Sequence, residues 1–251
     1  MTCRSAARTA CTSLLLAAGC IVREPGTRVE VEIAAVSDDA DAPRAELVSD
    51  HGYYVKLEQF YLVLSRVELV PCPPAQQMSL WRELFGASVA HAHGQNTMTA
   101  WAVPNVLAPL VDHAPVSIAI LHPAGIAYCS LRVALEAADA DAERMPAEFD
   151  MNGLSMVITG SYGMNANDPG WSFLYESFVS ANMDLPLKDL TGNPVAVRLS
   201  EANLNVRLRI ELAYQQVFDG LDLYPGSFST IGDVVLSQAL THASAVVVAA
   251  R

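Results

Sequence analysis

The sequence predicts an all-β protein: an antiparallel β-sandwich, immunoglobulin-like or jelly-roll-like, with one or two short helices, one of them near the C-terminus. Three observations point there. Runs of alternating apolar and polar residues recur from Thr27 to Leu212, which is the period of a strand with one buried face. Turn signals punctuate them, among them Thr191-Gly192-Asn193-Pro194 and Pro225-Gly226. Hydrophobic residues make up 52% of the 251 positions and charged residues only 17%, enough for an extensive core.

The elements follow in order. Residues 27–36 put Val29, Val31, Ile33 and Ala35 on one face and Arg28, Glu30 and Glu32 on the other, a half-buried strand. An acidic turn at residues 37–43 follows. Residues 54–70 alternate for most of their length, while Phe60 to Leu64 are apolar on both faces. That stretch is long enough for two strands, or for one strand bent by a bulge. Residues 77–105 form an irregular excursion. Strands resume at residues 115–120 and 128–136, where Cys129, Leu131, Val133 and Leu135 are expected to share a face. Further strands fall at 154–159, 172–179, 195–199 and 205–212. Residues 213–220 and 230–245 are the helical candidates. So many short strands, with no long helical pattern between them, indicate sheets packed face to face.

Residues 1–19 read as an export signal. Arg4 and Arg8 precede a short apolar run ending in small residues, far below the roughly 20 residues that span a bilayer. The ending Leu16-Ala17-Ala18-Gly19-Cys20 resembles a bacterial lipobox, so Cys20 is the expected lipidation site. Residues 20–26 become a tether and residues 27–251 a single domain. The alternative is an ordinary signal peptide cleaved nearby. With Cys3, Cys11 and Cys20 accounted for, Cys72 and Cys129 remain. An even pair in an oxidising compartment suggests one disulfide, with two buried thiols as the alternative. The expected location is the periplasm or cell surface, anchored to a membrane through lipid.

The net charge of −12 excludes nucleic acid as a natural partner, because phosphate backbones are bound through Lys and Arg. No Gly-x-Ser-x-Gly, phosphate loop, His-Glu-x-x-His or Cys-x-x-Cys occurs, so no enzyme is expected. The sharpest chemical feature is His91-Ala92-His93-Gly94. On an extended chain, residues i and i+2 point to one side, so both imidazoles can converge on one metal. Imidazole suits copper and zinc, and the nearby Met98 thioether favours copper(I). His51 and His122 are candidates for a third ligand. The acidic groups Asp38, Asp39 and Asp41, and Asp139, Asp141 and Glu143, offer oxygen to calcium without matching an EF-hand spacing. The other reading is an envelope module without metal, which recognises a protein or polysaccharide partner.

Two segments carry a family resemblance. Residues 60–70 (FYLVLSRVELV) resemble an early strand of MbnP-like proteins, exported copper-binding partners found in methanobactin gene clusters, and their relatives. Residues 210–223 (IELAYQQVFDGLDL) resemble a later segment of the same family, and the order of segments is similar. The resemblance implies an exported β-sandwich that binds copper through histidines, with a modified tryptophan in some members. It places His91 and His93 in the family's His-bearing region, with Trp101 close by. The family's late Gly-Ser-Thr-Gly-Cys-type stretch is missing, and Glu176 to Ser180 (ESFVS) stand there instead.

Overall fold

A strand of eighteen residues, Tyr54–Pro71, organises the sheet. The structure, a computed structural model, describes residues 27–36, 45–73, 100–108, 115–123, 126–167, 170–199, 205–223 and 231–250. Its strands are β1 (Arg28–Val36), β2 (Glu46–Val48), β3 (Tyr54–Pro71), β4 (Ala100–Trp101), β5 (Asn105–Leu107), β6 (Val116–Leu121) and β7 (Ala127–Leu135). They continue with β8 (Met156–Gly163), β9 (Trp171–Ser177), β10 (Ala181–Lys188), β11 (Val197–Arg198), β12 (Asn205–Ala213) and β13 (Ser244–Ala250). A 3-10 turn, Tyr214–Gln216, follows β12, and helix α1 covers Ile231–Thr241.

The main path runs β6-β1-β12-β13-β10-β7-β3-β8-β9. One layer is β6-β1-β12-β13 and the other β10-β7-β3-β8-β9. They meet where β13 pairs with β10, at Leu187↔Ala245 and Lys188↔Val246. The sheet curls so that both inner faces share one core: Val31, Ile33, Leu208 and Ile210 from the first layer join Phe60, Leu62, Leu131 and Val133 from the second. All are nearly or wholly excluded from water, and burial of apolar surface supplies most of the driving force. Helix α1 lies against β9. A Cβ at Gly232 would stand 1.9 Å from the Glu176 carbonyl oxygen, so only glycine lets the helix approach so closely. Ser177 Oγ–H donates to Asp233 at 2.7 Å and fastens the first turn of α1.

The all-β expectation holds, but the pairing is mixed rather than wholly antiparallel. β1 runs parallel to β12 along nine residues, Arg28↔Asn205 to Val36↔Ala213, and β10 runs parallel to β13. Alternation marks which face of a strand is buried and is silent on the direction of its neighbour. Here the charged faces of β1 and β12 are zipped together. Glu32 lies opposite Arg209, whose Nε–H donates to it at 2.7 Å, and Glu30 lies opposite Arg207. The helix expected over 230–245 stops at Thr241, and Ser244 onward becomes β13, seated between β12 and β10. The other helical candidate shrinks to the 3-10 turn. β2, β5 and β10 fall where no strand was expected, and β4 lies inside the stretch read as irregular.

β3 is one strand, and it is bulged. On one edge it pairs first with β8 (Tyr54↔Gly163 to Leu62↔Met156) and then with β7 (Leu64↔Leu135 to Pro71↔Tyr128). At Val63 the amide donates to Ser155 O at 2.9 Å, and the carbonyl accepts from Glu136 N–H at 3.4 Å. A strand residue presents its N–H and C=O to the same side, so β7 and β8 lie end to end along that edge. The chain between them, residues 136–155, leaves the sheet at this junction and folds over the outer face. There Ala138, Ala142, Met151 and Leu154 close a second, smaller core over Tyr61, Val63, Val106 and Val157. That is why Phe60 to Leu64 are apolar on both faces.

Bulges interrupt the pairing of β3 with both β8 and β7. Between Leu57 and Gln59 the register to β8 slips, leaving Glu58 as the extra residue. Gly160 faces this bulge; a Cβ there would stand 2.2 Å from the Lys56 carbonyl oxygen. Between Val70 and Pro71 the partner jumps from Ser130 to Tyr128, so Cys129 is the extra residue of β7. Cys129 therefore does not share the inner face with Leu131 and Val133, as alternation alone suggested. The bulge turns Tyr128, which is fully buried, into the core in its place.

Candidate functional site

Cys72 and Cys129 form a disulfide, with Cα atoms 4.8 Å apart and a sequence separation of 57. Cys72 directly follows β3, and its amide donates to Ala127 O at 2.9 Å, so the end of β3 is clamped to β7. Closing a loop of this length stabilises the fold by about 4 kcal/mol in the chain-entropy model. On the opposite edge of β3, β4 returns to the sheet at Val67↔Trp101 and Glu68↔Ala100. The chain thus departs after Pro73 and rejoins at Ala100, both near the clamped end of one strand. Trp101 is half-buried against the main core.

His91, His93 and Met98 belong to the intervening residues 74–99 and lie outside the described residues, as do Cys20, His113 and the acidic run Asp38, Asp39 and Asp41. His51 is exposed in the turn between β2 and β3, at the Tyr54 end of the long strand, whereas Pro73 and Ala100 stand near its Pro71 end. His122 is exposed beyond β6, with Nδ1 3.0 Å from the Thr27 carbonyl oxygen. Beside it, Thr27 Oγ1–H donates to Pro123 O at 2.9 Å, so this histidine helps fix the start of β1. Asp139 accepts from the Asp141 amide at 3.1 Å and shapes a turn. Among the described residues, no three His, Cys, Asp or Glu side chains gather as a metal site. Among the same residues, no helix is long and apolar enough to cross a membrane.

The outer face of the second layer holds features that local sequence alternation does not mark. Tyr61, buried under the cap, donates its hydroxyl to Glu148 at 2.5 Å. Burial first, and then the bond to Glu148 and its charge, push the Tyr61 hydroxyl up to about 12. The same bond holds the Glu148 carboxyl below the usual carboxylate range. Two clefts open on this face. One, of about 420 Å³, is lined by Glu46, Tyr54, Lys56, Glu58, Ser161 and Asn165 among others. The other, of about 350 Å³, lies beside the cap and is lined by Glu58, Gln59, Tyr61, Arg144 and Glu148 among others. Glu58 lines both. A signal for this was present in the sequence: the inward apolar spacing steps from two to three between Leu57 and Phe60, which is the mark of a bulge.

No family model and no curated protein matches the chain. Among solved structures, MbnP from Methylosinus trichosporium superposes with a TM-score of 0.35 at 14% sequence identity, over 76% of this chain and 77% of that one.

Proposed function

We propose that this chain is an exported lipoprotein, anchored through Cys20, that binds a transition metal through His91 and His93 and does not turn over a substrate. Copper is the first candidate and zinc the second. The observation that carries the reading is the fastening of the segment that bears the two histidines. Its start follows the Cys72–Cys129 disulfide, and its end rejoins β3 at Glu68↔Ala100. Fixing the two ends of a loop lowers the entropy its residues lose when they close on an ion. The disulfide also fits an oxidising compartment, in keeping with the signal-like residues 1–19. Met98 stands two residues before the paired Ala100 and supplies a soft thioether for copper(I). His51 would complete the site only if the chain from Ala100 back to His91 reached the far end of β3.

The test is the metal content of protein purified from Val22 onward without chelator, before and after titration with copper(I). Stoichiometric copper, lost in the His91→Ala/His93→Ala variant, is the expected result. Met98→Leu should weaken copper(I) more than copper(II), and His51→Ala should leave both unchanged. Protein that takes up no copper even on titration would end this reading.

A further inference from the structure

The outer face of β2, β3 and β8 carries a groove that the metal chemistry does not use. Its two clefts share one lining residue, Glu58, and each has the volume of a small-molecule site. The β3 bulge opposite Gly160 gives Glu58 this position; in regular pairing the residue after Leu57 would have its own partner on β8. Bulges commonly re-aim a side chain in this way. The neighbouring carboxylates are engaged: Glu46 with Lys56 Nζ at 3.8 Å, and Glu148 with Tyr61. Among the described residues, neither a hydrogen bond nor an ion pair engages the Glu58 side chain. Glu58 is exposed, so water hydrates its carboxylate in the free protein, and a ligand hydroxyl can take the place of that water.

We propose that this groove binds a neutral oligosaccharide, with Glu58 as its central hydrogen-bond acceptor and Tyr54 as its stacking platform. A carboxylate accepts two hydroxyls at once, and bonds to a charged acceptor are stronger than neutral ones. Vicinal sugar hydroxyls present such a pair of donors. Gln59 and Asn165 add amide groups on either side; Asn165 Oδ1 already accepts from the Asn167 amide at 3.1 Å, which leaves its NH₂ to donate. Tyr54 is 41% exposed at the edge of the first cleft and offers its ring to the apolar C–H face of a pyranose. Glu46, Glu58 and Glu148 outnumber Lys56 and Arg144 along the groove, so uronic acids and phosphorylated sugars are repelled. Two clefts that share one acceptor suit a chain of several sugars better than one compact molecule.

The experiment is calorimetric titration of the chain from Val22 onward, in the presence of a chelator so that the outcome is independent of the metal reading. The probes are cellohexaose, maltohexaose and N-acetylchitohexaose, each raised to millimolar concentration, with hexagalacturonate as the anionic control. At least one neutral hexasaccharide should bind and hexagalacturonate should not. Glu58→Gln and Tyr54→Ala should each weaken binding about tenfold or more, whereas Ile120→Ser on β6 of the other layer should not. Glu58→Gln keeps size and polarity at an exposed position, and an unchanged melting temperature shows that loss of binding is not loss of fold. Silence with all three neutral probes, or full binding by Glu58→Gln, overturns the proposal.

Discussion

The inner and outer faces of β3 are both dry, but they are dried by different means. On the inner face, Phe60, Leu62 and Leu64 enter a core to which both layers contribute, from elements spread between Val29 and Ala245. On the outer face, Tyr61 and Val63 lie beneath a cap drawn largely from a single excursion of the chain, residues 136–155. Few backbone pairings hold that cap, among them Asn105↔Glu143 and Ala138↔Asn152. Asp139 and Asp150 close its turns by accepting from the amides of Asp141 and Asn152, and Tyr61 donates to Glu148. The inner core can be opened only by separating the layers. The outer one can be lifted by breaking local contacts, so its stability should be lower and separable.

Truncating the inner face should therefore have the largest effect. Phe60→Ala removes a fully buried ring and should cost about 3–5 kcal/mol of global stability, read from chemical denaturation. Met151→Ala, an equally buried residue on the cap side, should cost less, about 2 kcal/mol. Its effect should be confined: amides of residues 138–154 would exchange faster while those of β7 and β12 keep their protection. Equal acceleration everywhere would show that the two cores form one cooperative unit.

Smallest is the effect of the polar latch. Tyr61→Phe should destabilise the cap by about 1 kcal/mol near neutral pH, since one hydrogen bond is lost and Glu148 can turn to water. The pH dependence follows from the two shifts. The folded Tyr61 hydroxyl is raised, so its contribution is complete below about 10, the ordinary tyrosine value, and is lost as pH climbs through about 12. The folded Glu148 carboxyl is lowered, so its contribution is present above the ordinary carboxylate value and is lost as pH falls through its own lowered one. Melts across pH should show the cap failing at both extremes in the native chain, and Tyr61→Phe should flatten both limbs. An unchanged alkaline limb in that variant would place the titrating group elsewhere.

Much of this comparison was legible beforehand. Phe60 to Leu64, apolar at every position, marked a segment apolar on both faces, while the length of residues 54–70 left two strands or one bulged strand open. What covered the outer side was not legible. Residues 136–155 are rich in Ala and acids and show no period, because turns rather than strands position Ala138, Ala142 and Met151. The disulfide was foreshadowed by cysteine arithmetic, whereas the bulge at Cys129 that serves it was hidden inside an unbroken alternation. The groove around Glu58 was missed for a similar reason: its residues come from β2, β3, the turn after β8 and the cap, and none is unusual alone. His91 and His93 remain a reading of spacing.

The sequence by itself determined that the protein is built of strands and which face of most of them is dry, and its expected export signal singled out Cys72 and Cys129 as a pair. These follow from local pattern and from counting, since the period of two is a property of each strand alone. The tertiary structure decided the partners. It set β1 parallel to β12, so that Glu30 and Glu32 meet Arg207 and Arg209, and slid β13 between β12 and β10 to join the layers. It also laid β7 and β8 end to end along β3, leaving residues 136–155 to cap the far side. Direction and register depend on residues far apart in the chain, such as Arg28 and Asn205 or Leu64 and Leu135, and no local window contains both members of such a pair.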